Sequence, residues 1–171
     1  MDIQGQYRIA APREVVWAAL NDPEVLKRCI PGCKELDARS ATDFAAKVAL
    51  KIGPISATFS GSVTLEELSP PAGYTIIGQG QGGPAGFAKG RARVELTEIA
   101  GETDLTYTAK AEVGGKLATL GGRLIEATSK KLANEFFGNF ARELNGDDSG
   151  VETAAEPVKQ QGRWAKWLGR K

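Results

Sequence analysis

The stretch from Phe44 to Leu65 alternates in a way that only an extended chain can use. Phe44, Ala46, Val48, Leu50 and Ile52 are apolar at every second position, and after Gly53-Pro54 the alternation restarts at Ile55, Ala57, Phe59, Gly61, Val63 and Leu65. Side chains two apart in a strand share a face, so one face of this segment is apolar throughout. Ser56, Thr58, Ser60, Ser62, Thr64 and Glu66 occupy the other face. An antiparallel sheet covered on one side only satisfies that pattern. Leu105, Tyr107, Ala109, Ala111 and Val113 repeat it, with Thr106, Thr108, Lys110 and Glu112 opposite, and Ile3, Tyr7 and Ile9 open the chain the same way. Weaker strand signals lie at Cys33 to Ala38, Tyr74 to Gln79 and Phe87 to Leu96.

Two short helices precede the sheet. Pro12 suits the first position of one, whose apolar face is Val16, Trp17 and Leu20 and which Asn21 ends. Asp22 is placed to cap a second that begins at Pro23 and stops at Pro31-Gly32. A single long helix is expected from about Leu120 to Leu144, because Ile125, Leu132, Phe136 and Phe140 fall on one stripe, and Asn145-Gly146 ends it. At about 1.5 Å per residue it is long enough to cross the sheet. The predicted fold is α+β: two short helices after the first strand, then a curved antiparallel sheet of about seven strands wrapped around a long C-terminal helix.

That order of elements resembles the START-like (SRPBCC, helix-grip) superfamily. Within it, DPEVLKRCIPGCKEL at Asp22 to Leu36 resembles the G subunit of carbon monoxide dehydrogenase. GPISATFSGSVTL at Gly53 to Leu65 and GQGQGGPAGFAKG at Gly78 to Gly90 are similar to the corresponding segments of that family, and the resemblance covers about residues 1 to 145. It implies an accessory protein of a molybdenum-containing hydroxylase such as carbon monoxide dehydrogenase, acting at the cytoplasmic membrane. The superfamily consists largely of carriers of hydrophobic ligands.

The residues narrow the chemistry. The chain has no histidine, which removes the commonest general base, the partner that activates a serine and a frequent metal ligand. Cys29 and Cys33 alone do not complete a zinc site and read as small packed residues. Alternation puts Glu66, Glu95 and Glu112 on the water side, so carboxylate-only catalysis is not expected. Gly78, Gly80 and Gly83 fit G-x-G-x-x-G, but Pro84-Ala85-Gly86 leads into a strand where a dinucleotide site requires a helix. This run reads as a glycine-rich hairpin connection, and as such a loop at a cavity mouth. Gly114-Gly115 and Gly121-Gly122 form a second such lip or a simple strand-to-helix corner.

A net charge of +1, with no interleaving of aromatic and basic residues, argues against a nucleic-acid partner. The inward set offers apolar side chains and two phenols, while Gly5, Ala46, Ala57, Gly61, Ala109 and Ala111 either draw the helix closer or leave room for a ligand. The expected cavity lining is Tyr7, Phe44, Phe59, Val63, Phe87, Tyr107, Leu117, Leu120, Leu124, Leu132 and Phe136. With the resemblance, the occupant expected is a respiratory quinone or another isoprenoid lipid. No metal or covalent cofactor is expected.

Beyond the domain of residues 1 to 145, residues 146 to 162 hold Asp147, Asp148, Glu152, Glu156 and Pro157 with few bulky apolar groups, the composition of a disordered linker. In residues 163 to 171, Arg163, Lys166, Arg170 and Lys171 join Trp164, Trp167 and Leu168. Wound as a helix, this segment has the two faces of an interfacial membrane anchor. No apolar run at the N-terminus reads as a signal peptide, so the expected location is cytoplasmic, peripheral on the inner face of the membrane. Three other readings stay open: a recruitment module with a filled core, a maturation factor for the hydroxylase, and a START-like cyclase or hydrolase.

Overall fold

The computed structural model describes residues 1 to 145 and the strand pair Val151–Glu152. The linker expected at 146 to 162 is otherwise outside the described residues, as is the basic and aromatic segment of Arg163, Trp164, Lys166, Trp167, Leu168, Arg170 and Lys171.

The chain opens with β1 (Asp2–Ile9), continues through α1 (Arg13–Leu20) and α2 (Pro23–Cys29), and then runs back and forth through six strands. These are β2 (Cys33–Ala38), β3 (Asp43–Ile52), β4 (Ile55–Ser69), β5 (Gly73–Gln81), β6 (Phe87–Ile99) and β7 (Glu102–Gly114). A 3₁₀ segment at Gly115–Leu120 leads into α3 (Gly122–Asn145), and β8 (Val151–Glu152) follows. The sheet order is β2-β3-β4-β5-β6-β7-β1-β8, so β1 returns beside the last long strand. Every neighbouring pair is antiparallel. β8 adds an eighth strand inside the stretch of linker composition, pairing Ile9 with Val151 and Arg8 with Glu152.

The local signals act as physics requires. Asp22 accepts a hydrogen bond from the Glu24 backbone N–H at 2.9 Å, capping α2 with Pro23 at its first position. Pro12 caps α1 instead of opening it, because its extended backbone (ψ 155°) precedes the first helical residue. The β3–β4 turn needs Gly53, whose φ of +59° is one that a side chain disfavours. The long helix starts two residues later than predicted, since Leu120 still belongs to the 3₁₀ segment.

Two apolar clusters form between the sheet and the helices. The larger unites Tyr7, Ile9, Val16, Leu20, Val25, Phe44, Leu65, Tyr74, Leu105, Phe137, Phe140 and Leu144. The smaller, at the end of the sheet carrying the β3–β4 turn, contains Ile52, Phe59, Ala85, Leu117 and Ile125. The stripe of α3 is turned slightly from the one predicted. Phe137 is buried where Phe136 is half-buried, and Ala141 and Leu144 extend the stripe to the C-terminus. The spacing 137, 140, 141, 144 is itself a helical face and carried that information. Arg28 and Glu143, 2.6 Å apart, and the Asn139 amide donating to the Cys29 carbonyl at 2.9 Å fasten α2 to α3.

Candidate ligand groove

Between the two clusters small side chains predominate on the inward face of the sheet. The register places Ile76, Ala92 and Ala109 side by side across β5, β6 and β7, and the next inward-facing rank is Gly78, Gly90 and Ala111. Ala88 on β6 follows beside Gly80. Together they form the floor of a broad, open apolar depression of about 320 Å³, lined by β5, β6 and β7. That volume lies near the lower end of ordinary small-molecule sites, with space for a ring system and part of a chain.

α3 does not fill it. The helix packs mainly on α2 and β1, and at its start on the Gly115–Leu120 segment. Along its first half Leu124, Thr128, Ser129 and Leu132 are only half-buried, as are Ile76, Ala92 and Ala109. A side chain forced against its neighbours would be excluded from solvent, so half-burial on both sides marks an open groove.

The polar groups of the interior stand at the edge of the larger cluster. Tyr7 donates its hydroxyl to Asn134 Oδ1 on α3 at 2.5 Å. Tyr107 lies beside it, ring centroids 6.4 Å apart and nearly parallel, and is folded across Gly5 so that a methyl there would come within 2.6 Å of the ring. Burial, the nearby Tyr107 phenol and their mutual hydrogen bonding push the Tyr7 hydroxyl up to about 12; burial likewise raises that of Tyr107. Both therefore remain neutral O–H groups across the physiological range. With the Tyr7 proton committed to Asn134, the Tyr107 hydroxyl is the donor open to a ligand carbonyl and the Tyr7 oxygen can accept from a ligand hydroxyl, while the remainder of a molecule lies on alanine and glycine.

The predicted lining residues divide among three places. Tyr7 and Phe44 belong to the larger cluster, with Val63, Tyr107 and Phe136 packed against it. Phe59, Leu117 and Leu120 belong to or pack on the smaller cluster. Leu124 and Leu132 are half-buried on the length of α3 between them. Phe87 departs from the expectation: 37% exposed, it lies against Gly114, where an added methyl would meet its ring at 2.2 Å, on the outward register of the sheet. Gly78 lies in β5, as the Tyr74 to Gln79 strand signal required; Gly80, read as part of the glycine-rich connection, is also a strand residue, and the connection is the short turn Gly82 to Gly86, anchored by buried Ala85. Sequence reasoning missed Asn134, which its polarity hides, and the inward ranks of Gly78, Gly90, Ala88 and Ala92, which appear only when strands are set in register.

Larger depressions occur on the outer face, such as one of about 730 Å³ around Glu35, Asp37, Arg39 and Lys47. Charged side chains ring it, so volume alone does not select the site. Glu102 is buried, but on the outward register and 3.8 Å from Arg8. Cys29 is buried and its thiol is pushed up to about 12 by burial, which makes it a poor nucleophile. No cluster of potential metal ligands occurs among the described residues, and none of the described helices is long and apolar enough to cross a membrane.

The profile of the CoxG family, the G subunit of carbon monoxide dehydrogenase, matches residues 5–145. No curated protein matches the chain. Among solved structures, a conserved protein from Geobacillus kaustophilus is 33% identical with a TM-score of 0.79, over 84% of this chain and 94% of that one. A START superfamily protein from Mycobacterium smegmatis aligns at 16% identity and TM-score 0.61, over 82% of this chain and 94% of that one. The Zhui aromatase/cyclase from Streptomyces sp. R1128 aligns at 17% and 0.60, over 92% and 99%. The last two establish the fold shared with START-like proteins.

Proposed function

The chain belongs to the CoxG family of carbon monoxide dehydrogenase, and from that premise we propose that it is a non-catalytic accessory protein that holds an apolar ligand in the groove under α3. The occupant that suits the chemistry is a respiratory quinone. Its ring would lie on the floor of Ala92, Ala109 and Gly78, with a carbonyl accepting from the Tyr107 hydroxyl, since the Tyr7 proton is held by Asn134, and its isoprenoid chain leaving through the open side. The partner is a molybdenum-containing hydroxylase of the carbon monoxide dehydrogenase type, and the protein presents its ligand to that enzyme at the cytoplasmic membrane. The segment Arg163 to Lys171 supplies attachment to the bilayer through basic residues and two tryptophans.

The observation that carries this reading is the combination of small-residue ranks across three strands with a helix that stands off them. A packed core excludes such a gap. Native mass spectrometry and solvent extraction of freshly prepared protein test it: a quinone or isoprenoid lipid is expected to accompany the chain. Repeated preparations without such a ligand, together with no binding of an added short-chain quinone, overturn the carrier reading. Deletion of Arg163 to Lys171 then separates recruitment from maturation, since a maturation factor would keep its effect on the hydroxylase without that segment.

A further inference from the structure

One end of the fold carries charge of a single sign. The β3–β4 turn, the Gly83–Ala85 turn, the Gly115–Leu120 segment and the start of α3 meet there: Gly83–Ala85 packs on β4 and on Gly115–Leu120, and a methyl added at Gly53 would lie 3.0 Å from Leu124. Lys51, Lys116 and Arg123 project from these segments, and all three are exposed. None of them is in an ion pair among the described residues. The first acidic side chains met on leaving this end along β7 and α3 are Glu112 and Glu126, and they sit 3.5 and 3.4 Å from Lys89 and Lys130. The opposite end of the sheet gathers Glu66, Glu67, Glu98, Glu102 and Asp104 at the ends of β4, β6 and β7. Residues 1 to 145 hold equal numbers of basic and acidic side chains, so the asymmetry lies in their distribution. Exposed Pro54 and Pro84 occupy the turns of the basic end, with Phe87 exposed at the start of β6.

We propose that this basic end is a membrane-docking surface, separate from the C-terminal segment, that seats on an anionic leaflet through Lys51, Lys116 and Arg123 with Phe87 at headgroup level. The proposal rests on the reading that the groove carries an apolar ligand. Docking in this pose brings the smaller cluster, which closes the groove at that end with Phe59 and Leu117, against the lipid. A tether alone fixes distance; three cations around the closed end also fix orientation.

The test uses the full-length chain and vesicles of phosphatidylcholine with and without phosphatidylglycerol. Wild-type protein is expected to cosediment with the anionic vesicles and to release as salt is raised, because exposed charges are screened within about 10 Å at 0.1 M. K51E/K116E/R123E is expected to weaken that binding by at least about tenfold, given the attraction of each basic residue to an anionic surface. K34E/K47E/K131E carries the same change of net charge elsewhere and is expected to bind within about threefold of wild type. Equal loss in both variants, or retained binding in the first, overturns the docking surface. Binding of a short-chain quinone without vesicles is measured alongside: an unchanged value in K51E/K116E/R123E with vesicle binding lost supports the proposal. No quinone binding by the wild-type chain overturns the reading of the groove on which it rests.

Discussion

The hydroxyl of Tyr7 on the first strand donates to Asn134 Oδ1 on the long helix across 2.5 Å, joining positions 127 residues apart at the edge of the groove. The bond does three things at once. It fixes the distance of α3 from β1, holds the Tyr7 ring against Phe137 with centroids 4.2 Å apart, and presents a neutral phenol beside Tyr107.

The phenol makes stability sensitive to alkali. The folded state holds the Tyr7 proton to about 12 against an ordinary value of 10.0, and the Cys29 proton to about 12 against 9.0. Above pH 9 to 10 the unfolded chain therefore binds fewer protons than the folded one, and stability falls as pH rises from 9 toward 12. Denaturation in urea at a series of pH values is expected to show that decline. Tyr7→Phe is expected to shallow its slope above pH 10, because the unfolded variant has no phenol at position 7 to ionise. An identical slope in the variant would show that Tyr7 does not hold its proton.

The floor is expected to tolerate some additions and resist others. A methyl at Gly78 meets nothing nearer than 3.6 Å, whereas one at Gly90 falls 2.5 Å from the Lys110 carbonyl oxygen. Gly78→Ala should be neutral or stabilising by up to about 1 kcal/mol, as for glycine replaced within a regular element, and Gly90→Ala destabilising by about 1 to 3 kcal/mol. Gly78→Leu should keep the fold and abolish quinone binding by occupying the groove. Urea midpoints and a fluorescence titration with a short-chain quinone measure both; ligand binding undiminished by Gly78→Leu would remove the floor as the binding place.

Much of this architecture is legible in the order of residues and some of it is not. Alternation from Phe44 to Leu65 sets the strand faces, and Asp22-Pro23 marks the start of α2, because these choices depend on neighbours in sequence. The phase of α3 is harder, since Phe136 and Phe137 are adjacent and either could face the core.

Thermal denaturation decides that phase. Phe137→Ala is expected to cost about 3 to 5 kcal/mol, as for a buried aromatic ring. Phe136→Ala should cost less than half as much. The reverse order would mean that α3 is rotated by about one residue.

The link between α2 and α3 is expected to be modest. Arg28 is half exposed, with 52% of its side chain accessible, while Glu143 is at 17%. Solvent screening limits such a pair to about 1 kcal/mol at most. A double-mutant cycle on Arg28→Ala and Glu143→Ala checks this, and Asn139→Ala, which leaves the Cys29 carbonyl without its donor, is expected to cost about 1 to 3 kcal/mol.

The sequence by itself determined where the long strands and the three helices lie, which face of β3, β4 and β7 is apolar, and that histidine chemistry has no place in the chain, because side-chain type and spacing act locally. Only the tertiary structure decided that Gly78, Gly90 and Ala111 stand in one rank, that Asn134 reaches Tyr7, and that Phe87 lies on the outer face. Each of those depends on the register between strands or on the separation of helix and sheet. Such relationships join residues distant in sequence, and the packing of the whole domain fixes them.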